Sequence, residues 1–147
     1  MTTIAYKDGI IAYDSRVSAG RTIIYDDVDK KRERDGVFFF GTGATGEINE
    51  LIGAYFGEEI VGECGASALV VHGDDLMIIG WSEGKLWKSP IHADKPYAIG
   101  SGEDHALTAF DMGATAYQAV EMAMKRDTGT GGKIRTLTVK SSELAAE

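Results

Sequence analysis

The chain has 147 residues with a net charge of -8 from 23 acidic and 15 basic side chains. It is 44% hydrophobic and 26% charged, with 19 glycines and two prolines, the make-up of one soluble globular domain over residues 1–147 with tight backbone turns. The acidic balance repels phosphate backbones and argues against a nucleic-acid partner. No apolar run approaches the ~20 residues of a membrane span, no signal peptide is visible, and the lone Cys64 fits a reducing cytoplasm.

The first residues read as a hairpin: residues 2–6 are β-branched and aromatic, Asp8-Gly9 turns the chain, and residues 10–13 resume the apolar run. Residues 21–27 form a further strand around Ile23, Ile24 and Tyr25. Residues 26–35 mix five acids with four bases and read mainly as a solvated hairpin end. Asp35-Gly36 leads into a buried strand over residues 37–40. The spacing of Ile48, Leu51, Ile52 and Tyr55 predicts a helix over residues 45–56, with Thr45 as N-cap and Gly57 past its end. Strands follow at residues 66–72 and 76–81, with shorter ones at 85–88 and 97–99. Helices at residues 103–112 and 115–126, a strand at 133–139 and a polar tail complete the chain. Hairpins and helices in separate blocks indicate an α+β layered domain.

Several motifs invite chemistry. Residues 41–46 fit G-x-G-x-x-G between an apolar run and a helix, with Glu63 about 20 residues on. Hairpins on both sides argue against a dinucleotide fold, although free N–H groups at a helix start suit an anion. His72, His92 and His105 lack metal-ligand spacing, no serine sits in a G-x-S-x-G elbow, and Cys64 reads as a buried hydrophobe. Thr2 differs. Trimming of Met1 would leave its hydroxyl beside an α-amine of pKa about 7.7–8.0, a nucleophile with its own general base.

Residues 1–20, MTTIAYKDGIIAYDSRVSAG, strongly resemble the start of a mature proteasome β subunit. They are also similar to HslV and, most closely, to the short phage and prophage members of that family of N-terminal nucleophile hydrolases. The similarity recurs at Ala98-Ile99-Gly100-Ser101-Gly102, at Met112-Gly113-Ala114, and over residues 126–132. The resemblance implies a four-layer αββα sandwich, shortened where residues 56–66 leave no room for a second long helix. It implies a threonine peptidase in which Thr2, freed of Met1, attacks peptide bonds through an acyl-enzyme. Asp14 would orient Lys30, although the run Lys30-Lys31-Arg32 keeps Lys31 as an alternative. Ser101, Asp127 and Thr130 would support the threonine amine, and the Gly43 N–H would serve as oxyanion donor. Val17, Gly41 and Thr45 would line a modest apolar substrate pocket.

The same resemblance implies no cofactor, a polypeptide substrate, and a homo-oligomer built as a ring or stacked rings, for which Trp81, Leu86 and Trp87 are candidate contacts. Energy-dependent unfolding would need a separate ATPase, because no Walker-type segment is present. The alternative is an inert assembly or scaffold subunit that retains Met1, whose acyl group would remove the base on Thr2.

Overall fold

The computed structural model describes residues 1–139; the polar tail lies outside them. The chain is mixed α and β, with three helices and only antiparallel strand pairing among the described residues. It divides into two compact units, one of Met1–Lys30 with the chain from His92 onward, the other Lys31–Ile91.

The first unit contains strands β1 (Thr3–Lys7), β2 (Ile10–Tyr13), β3 (Val17–Ala19) and β4 (Thr22–Tyr25). The opening hairpin forms as its Asp8-Gly9 turn predicts, both turn residues adopting positive φ. In the second unit come β5 (Lys31–Arg34), β6 (Val37–Thr42), helix α1 (Thr45–Tyr55), β7 (Ser67–His72), β8 (Asp75–Ser82) and β9 (Lys85–Pro90). The chain then returns to the first unit with β10 (Tyr97–Gly100), helices α2 (Glu103–Asp111) and α3 (Ala116–Arg126), and β11 (Arg135–Thr138).

In the first unit the order β10-β1-β2-β11 makes the opening strand central. Alanines allow close packing of helices on this sheet: Ala5, Ala12 and Ala98 meet Ala106, Ala109, Ala119 and Val120 of α2 and α3. α3 starts in a capping box, where Thr115 accepts from the Gln118 N–H and Gln118 returns the bond to the Thr115 N–H. Strands β3 and β4 form a separate ribbon.

The second unit is a five-stranded sheet in the order β5-β6-β7-β8-β9. Val37 and Phe39 of β6, Ala68 and Val70 of β7, and Ile79 of β8 form one core with Leu51, Ile52 and Ala54 of α1. Trp81 and Leu86 pack against this core, while the Trp87 ring fills the space beside Gly80.

Two local expectations need correction. Thr45 is the first helical residue of α1, and Ala44 occupies the N-cap without a side-chain bond. The charged stretch is not simply solvated, because residues 31–34 form β5 and pair with β6.

Candidate active site

The first unit gathers six of the candidate residues around the start of β1. Thr2 is buried, and its hydroxyl donates to Asp14 Oδ1 at 2.5 Å. The Lys30 ammonium donates to Thr2 Oγ1 at 2.6 Å and to Asp14 Oδ1 at 2.8 Å. A hydroxyl that gives its hydrogen to a carboxylate while receiving one from a cation has its proton loosened and its oxygen oriented. Lys31 is placed elsewhere, with its ammonium 5.4 Å from the centroid of the Phe38 ring. Lys30 is therefore the lysine that reaches Thr2.

Asp14 is fully buried directly after β2, and backbone N–H groups satisfy its carboxylate. Thr3 donates to Oδ1, while Gly131 and Arg16 donate to Oδ2. Burial holds the Lys30 ammonium below its ordinary value, although attraction to Asp14 works in the opposite direction.

On the other side of Thr2, its backbone nitrogen donates to Ser101 Oγ at 3.1 Å, and Ser101 donates to Asp127 Oδ2 at 2.6 Å. Thr130 also donates to Asp127 Oδ2 at 2.6 Å. Its only hydroxyl hydrogen is thus committed, so the 2.7 Å bond between Thr3 and Thr130 uses the hydrogen of Thr3. Burial alone would raise the Asp127 carboxyl. Hydrogen bonds from Ser101, Thr130 and the Gly129 N–H outweigh that effect and hold it below its ordinary value.

Glycine is required where these elements close on Thr2. Gly100 has φ +110, and a Cβ there would overlap the Thr2 carbonyl. A Cβ on Gly129 would lie 2.5 Å from the Met1 Cβ. With Met1 in place the Thr2 nitrogen is an amide, and the Met1 carbonyl oxygen lies 3.5 Å from Lys30 Nζ.

Val17 is half-buried in the β3–β4 ribbon opposite Tyr25. Gly41, Gly43 and Thr45 belong to the second unit. A Cβ on Gly41 would come within 2.6 Å of Ile48, so close packing of α1 on β6 explains that glycine. Gly43, at φ +123, lies against Ala66 and ends β6 before the helix. The G-x-G-x-x-G segment thus joins an antiparallel strand to a helix, without the parallel βαβ frame of a dinucleotide site.

Sequence reasoning missed the hydroxyl of Thr3 and the guanidinium of Arg16. Arg16 clasps Asp26 through Nε at 2.8 Å and Nη2 at 3.2 Å, donates to the Thr128 carbonyl at 3.1 Å, and packs over Gly131. Nothing local announced either set of contacts, since β1 is buried on both faces and the partners of Thr3 and Arg16 are remote in sequence. Among the described residues, no group of three or more His, Cys, Asp or Glu side chains is placed to hold a metal. No described helix is long and apolar enough to cross a membrane.

No family model matches the chain, and no curated protein matches it. Solved structures do. A structure of Thiobacillus denitrificans BPH in complex with epoxomicin is 16% identical, with TM-score 0.70 over 96% of this chain and 98% of that one. A second structure of Thiobacillus denitrificans BPH is 17% identical, with the same TM-score and coverage. At this identity the likeness concerns the fold.

Proposed function

We propose that the chain is an N-terminal threonine peptidase of the proteasome-like N-terminal nucleophile hydrolases, with the four-layer αββα sandwich of that family. The observation that carries this reading is the Thr2 hydroxyl held between Asp14 at 2.5 Å and Lys30 at 2.6 Å, with Ser101 on the Thr2 nitrogen. The fold neighbour solved with epoxomicin, a proteasome inhibitor, adds support.

In this reading Met1 is removed and the Thr2 nitrogen becomes an amine. The neutral amine takes the hydroxyl proton as Oγ1 attacks the carbonyl carbon of a peptide bond. Lys30, kept cationic beside Asp14, lowers the proton affinity of the hydroxyl. The developing oxyanion requires a preorganised backbone N–H donor. Collapse breaks the C–N bond, and the leaving amine takes its proton from the Thr2 ammonium. Water then attacks the resulting ester, giving up a proton to the Thr2 amine, and Oγ1 leaves as the regenerated hydroxyl. Ser101 serves this cycle by accepting a hydrogen from the Thr2 nitrogen, which fixes where its lone pair points, and Asp127 fixes Ser101.

A polypeptide is the substrate this reading expects. A closed homo-oligomeric ring in the cytoplasm, fed by a separate ATPase, is the assembly this reading expects, and sedimentation as a monomer at micromolar concentration would oppose it. The alternative reading is an inert assembly subunit that keeps Met1, in which the Thr2 nitrogen stays an amide and is no base.

Intact mass spectrometry after treatment with a peptide epoxyketone, which reacts with both the hydroxyl and the free amine of a terminal threonine, decides between them. The expected result is loss of Met1 and one adduct per chain, absent in Thr2→Ala. A full-length mass without adduct would sink the peptidase reading.

A further inference from the structure

Residues 26–29, which look solvated in the sequence, are gripped one acid at a time. Arg16 holds Asp26, Arg135 Nη2 donates to Asp27 Oδ1 at 2.9 Å, and the Tyr13 hydroxyl donates to Asp29 Oδ1 at 2.9 Å. The last of these contacts adjoins the site. Tyr13 immediately precedes Asp14, and Asp29 immediately precedes Lys30. Tyr13, the last residue of β2, and Asp14, directly after it, therefore hold two consecutive residues of the charged segment, Tyr13 to Asp29 and Asp14 to Lys30.

We propose that Tyr13 and Asp29 are positioning residues that fix the backbone carrying Lys30, and so set the distance from its ammonium to Thr2 Oγ1. The inference rests on the peptidase reading for its catalytic consequence, though not for the clamp itself.

Three observations support it. Tyr13 and Asp14 bond to consecutive residues of the segment, and two separate bonds oppose its rotation about either one alone. The Tyr13 ring is buried in the interior of the sheet, between Ile4 of β1 and Arg135 of β11 in the strand register. The phenol is thus anchored on β2, whose end carries the chain directly into Asp14. Burial, reinforced by Asp29, raises the Tyr13 hydroxyl above its ordinary value, so it remains a donor at any working pH. Asp29 itself is exposed. A solvated carboxylate on a loop gains little by bonding, and its fixed partner makes the geometry specific. Displacement of a positioned group by 1 Å can cost on the order of 10²-fold in rate. Loss of one clamp while Asp14 still holds Lys30 therefore predicts a smaller effect of roughly tenfold.

The test uses Tyr13→Phe, which keeps the buried ring, together with Asp29→Ala and Asp29→Asn. The Lys30 side chain is titrated by NMR with carbon-labelled lysine, its signal assigned by its absence in Lys30→Arg. The charged groups acting on Lys30 are Asp14, Arg16, Asp127 and Asp26, and all four are unchanged in these variants. The expected result in Tyr13→Phe and Asp29→Ala is a rise of the Lys30 titration toward the ordinary lysine value of 10.5 as the ammonium regains water. The maximal rate of adduct formation with a peptide epoxyketone falls about tenfold, with half-saturation unchanged. The double variant is no worse than either single one, and Asp29→Asn, which keeps an accepting oxygen, stays near the parent. An unchanged Lys30 titration in Tyr13→Phe overturns the proposal. A shifted titration in a protein whose parent forms no adduct upholds the clamp and retires the peptidase reading instead.

Discussion

Ser101 Oγ stands between the backbone nitrogen of Thr2, 3.1 Å away, and Asp127 Oδ2, 2.6 Å away. A hydroxyl has one hydrogen; the short bond to Asp127 takes it ahead of the Thr2 carbonyl 3.3 Å away, which leaves Ser101 as the acceptor for the Thr2 nitrogen. On a free threonine amine, the same contact would turn the remaining lone pair toward the hydroxyl of its own residue. Ser101→Ala is expected to lower the rate of epoxyketone adduct formation on the order of 10²-fold while leaving the thermal midpoint nearly unchanged. Stopped reactions read by intact mass measure the first, and thermal denaturation the second. Equal adduct rates would remove Ser101 from the mechanism.

Asp14 and Lys30 are a charge pair of which the acid is fully buried and the lysine side chain is 11% exposed. Asp14→Asn leaves that cation without its counter-ion, a loss of about 3–5 kcal/mol for a buried pair. Denaturant unfolding should show the drop. Lys30→Met in the same background should recover part of it, because the stranded charge is then gone; no recovery would mean that Asp14 stabilises mainly through its backbone donors.

The Asp127 carboxyl, held below its ordinary value of 3.8 by its three donors, gives a pH signature. Between the native value and 3.8 the unfolded chain binds the proton more readily, so stability rises with pH across that window. The contribution is complete above about pH 5 and disappears as pH falls through the native value. The difference in thermal midpoint between the parent and Asp127→Asn should be constant from pH 7 to 5 and narrow below 4. A gap that persists into acid would mean that Asp127 acts through shape and not charge.

Gly100 combines φ +110 with the Thr2 carbonyl lying where its Cβ would be. Gly100→Ala should cost at least about 2 kcal/mol from backbone strain and overlap and displace Thr2 from Ser101. The expected outcome is a lowered thermal midpoint together with slowed adduct formation. An active, fully stable variant would show that β10 can shift without disturbing the site.

Much of the fold was legible because its cues are local. Asp8-Gly9 between apolar runs specifies the first hairpin, and the spacing of Ile48, Leu51 and Ile52 specifies α1. The failures have equally local reasons. Ala44 caps α1 without a side chain to announce it, and β3 is only three residues of ordinary composition. The charged stretch misled because its partners are remote: Arg135 lies 108 residues from Asp27. The site was legible in a different sense. Thr2, Asp14, Lys30, Ser101, Asp127 and Thr130 were assembled from a family resemblance, since no spacing along the chain relates residue 2 to residue 101 or 127. Tyr13 and Thr3 escaped notice because their roles consist of contacts, which only the folded chain possesses.

The central place of β1 has a kinetic consequence. Thr3 lies opposite Gly100 across a strand pair that closes a loop of nearly the whole first two-thirds of the chain. Pairings so distant in sequence are costly to close and slow to form. Ser101 lies 99 residues beyond Thr2 and Asp127 farther still, so the surroundings of Thr2 are completed long after the threonine itself is made. The chemistry proposed for Thr2 therefore waits until β10, Ser101 and Asp127 are all in place.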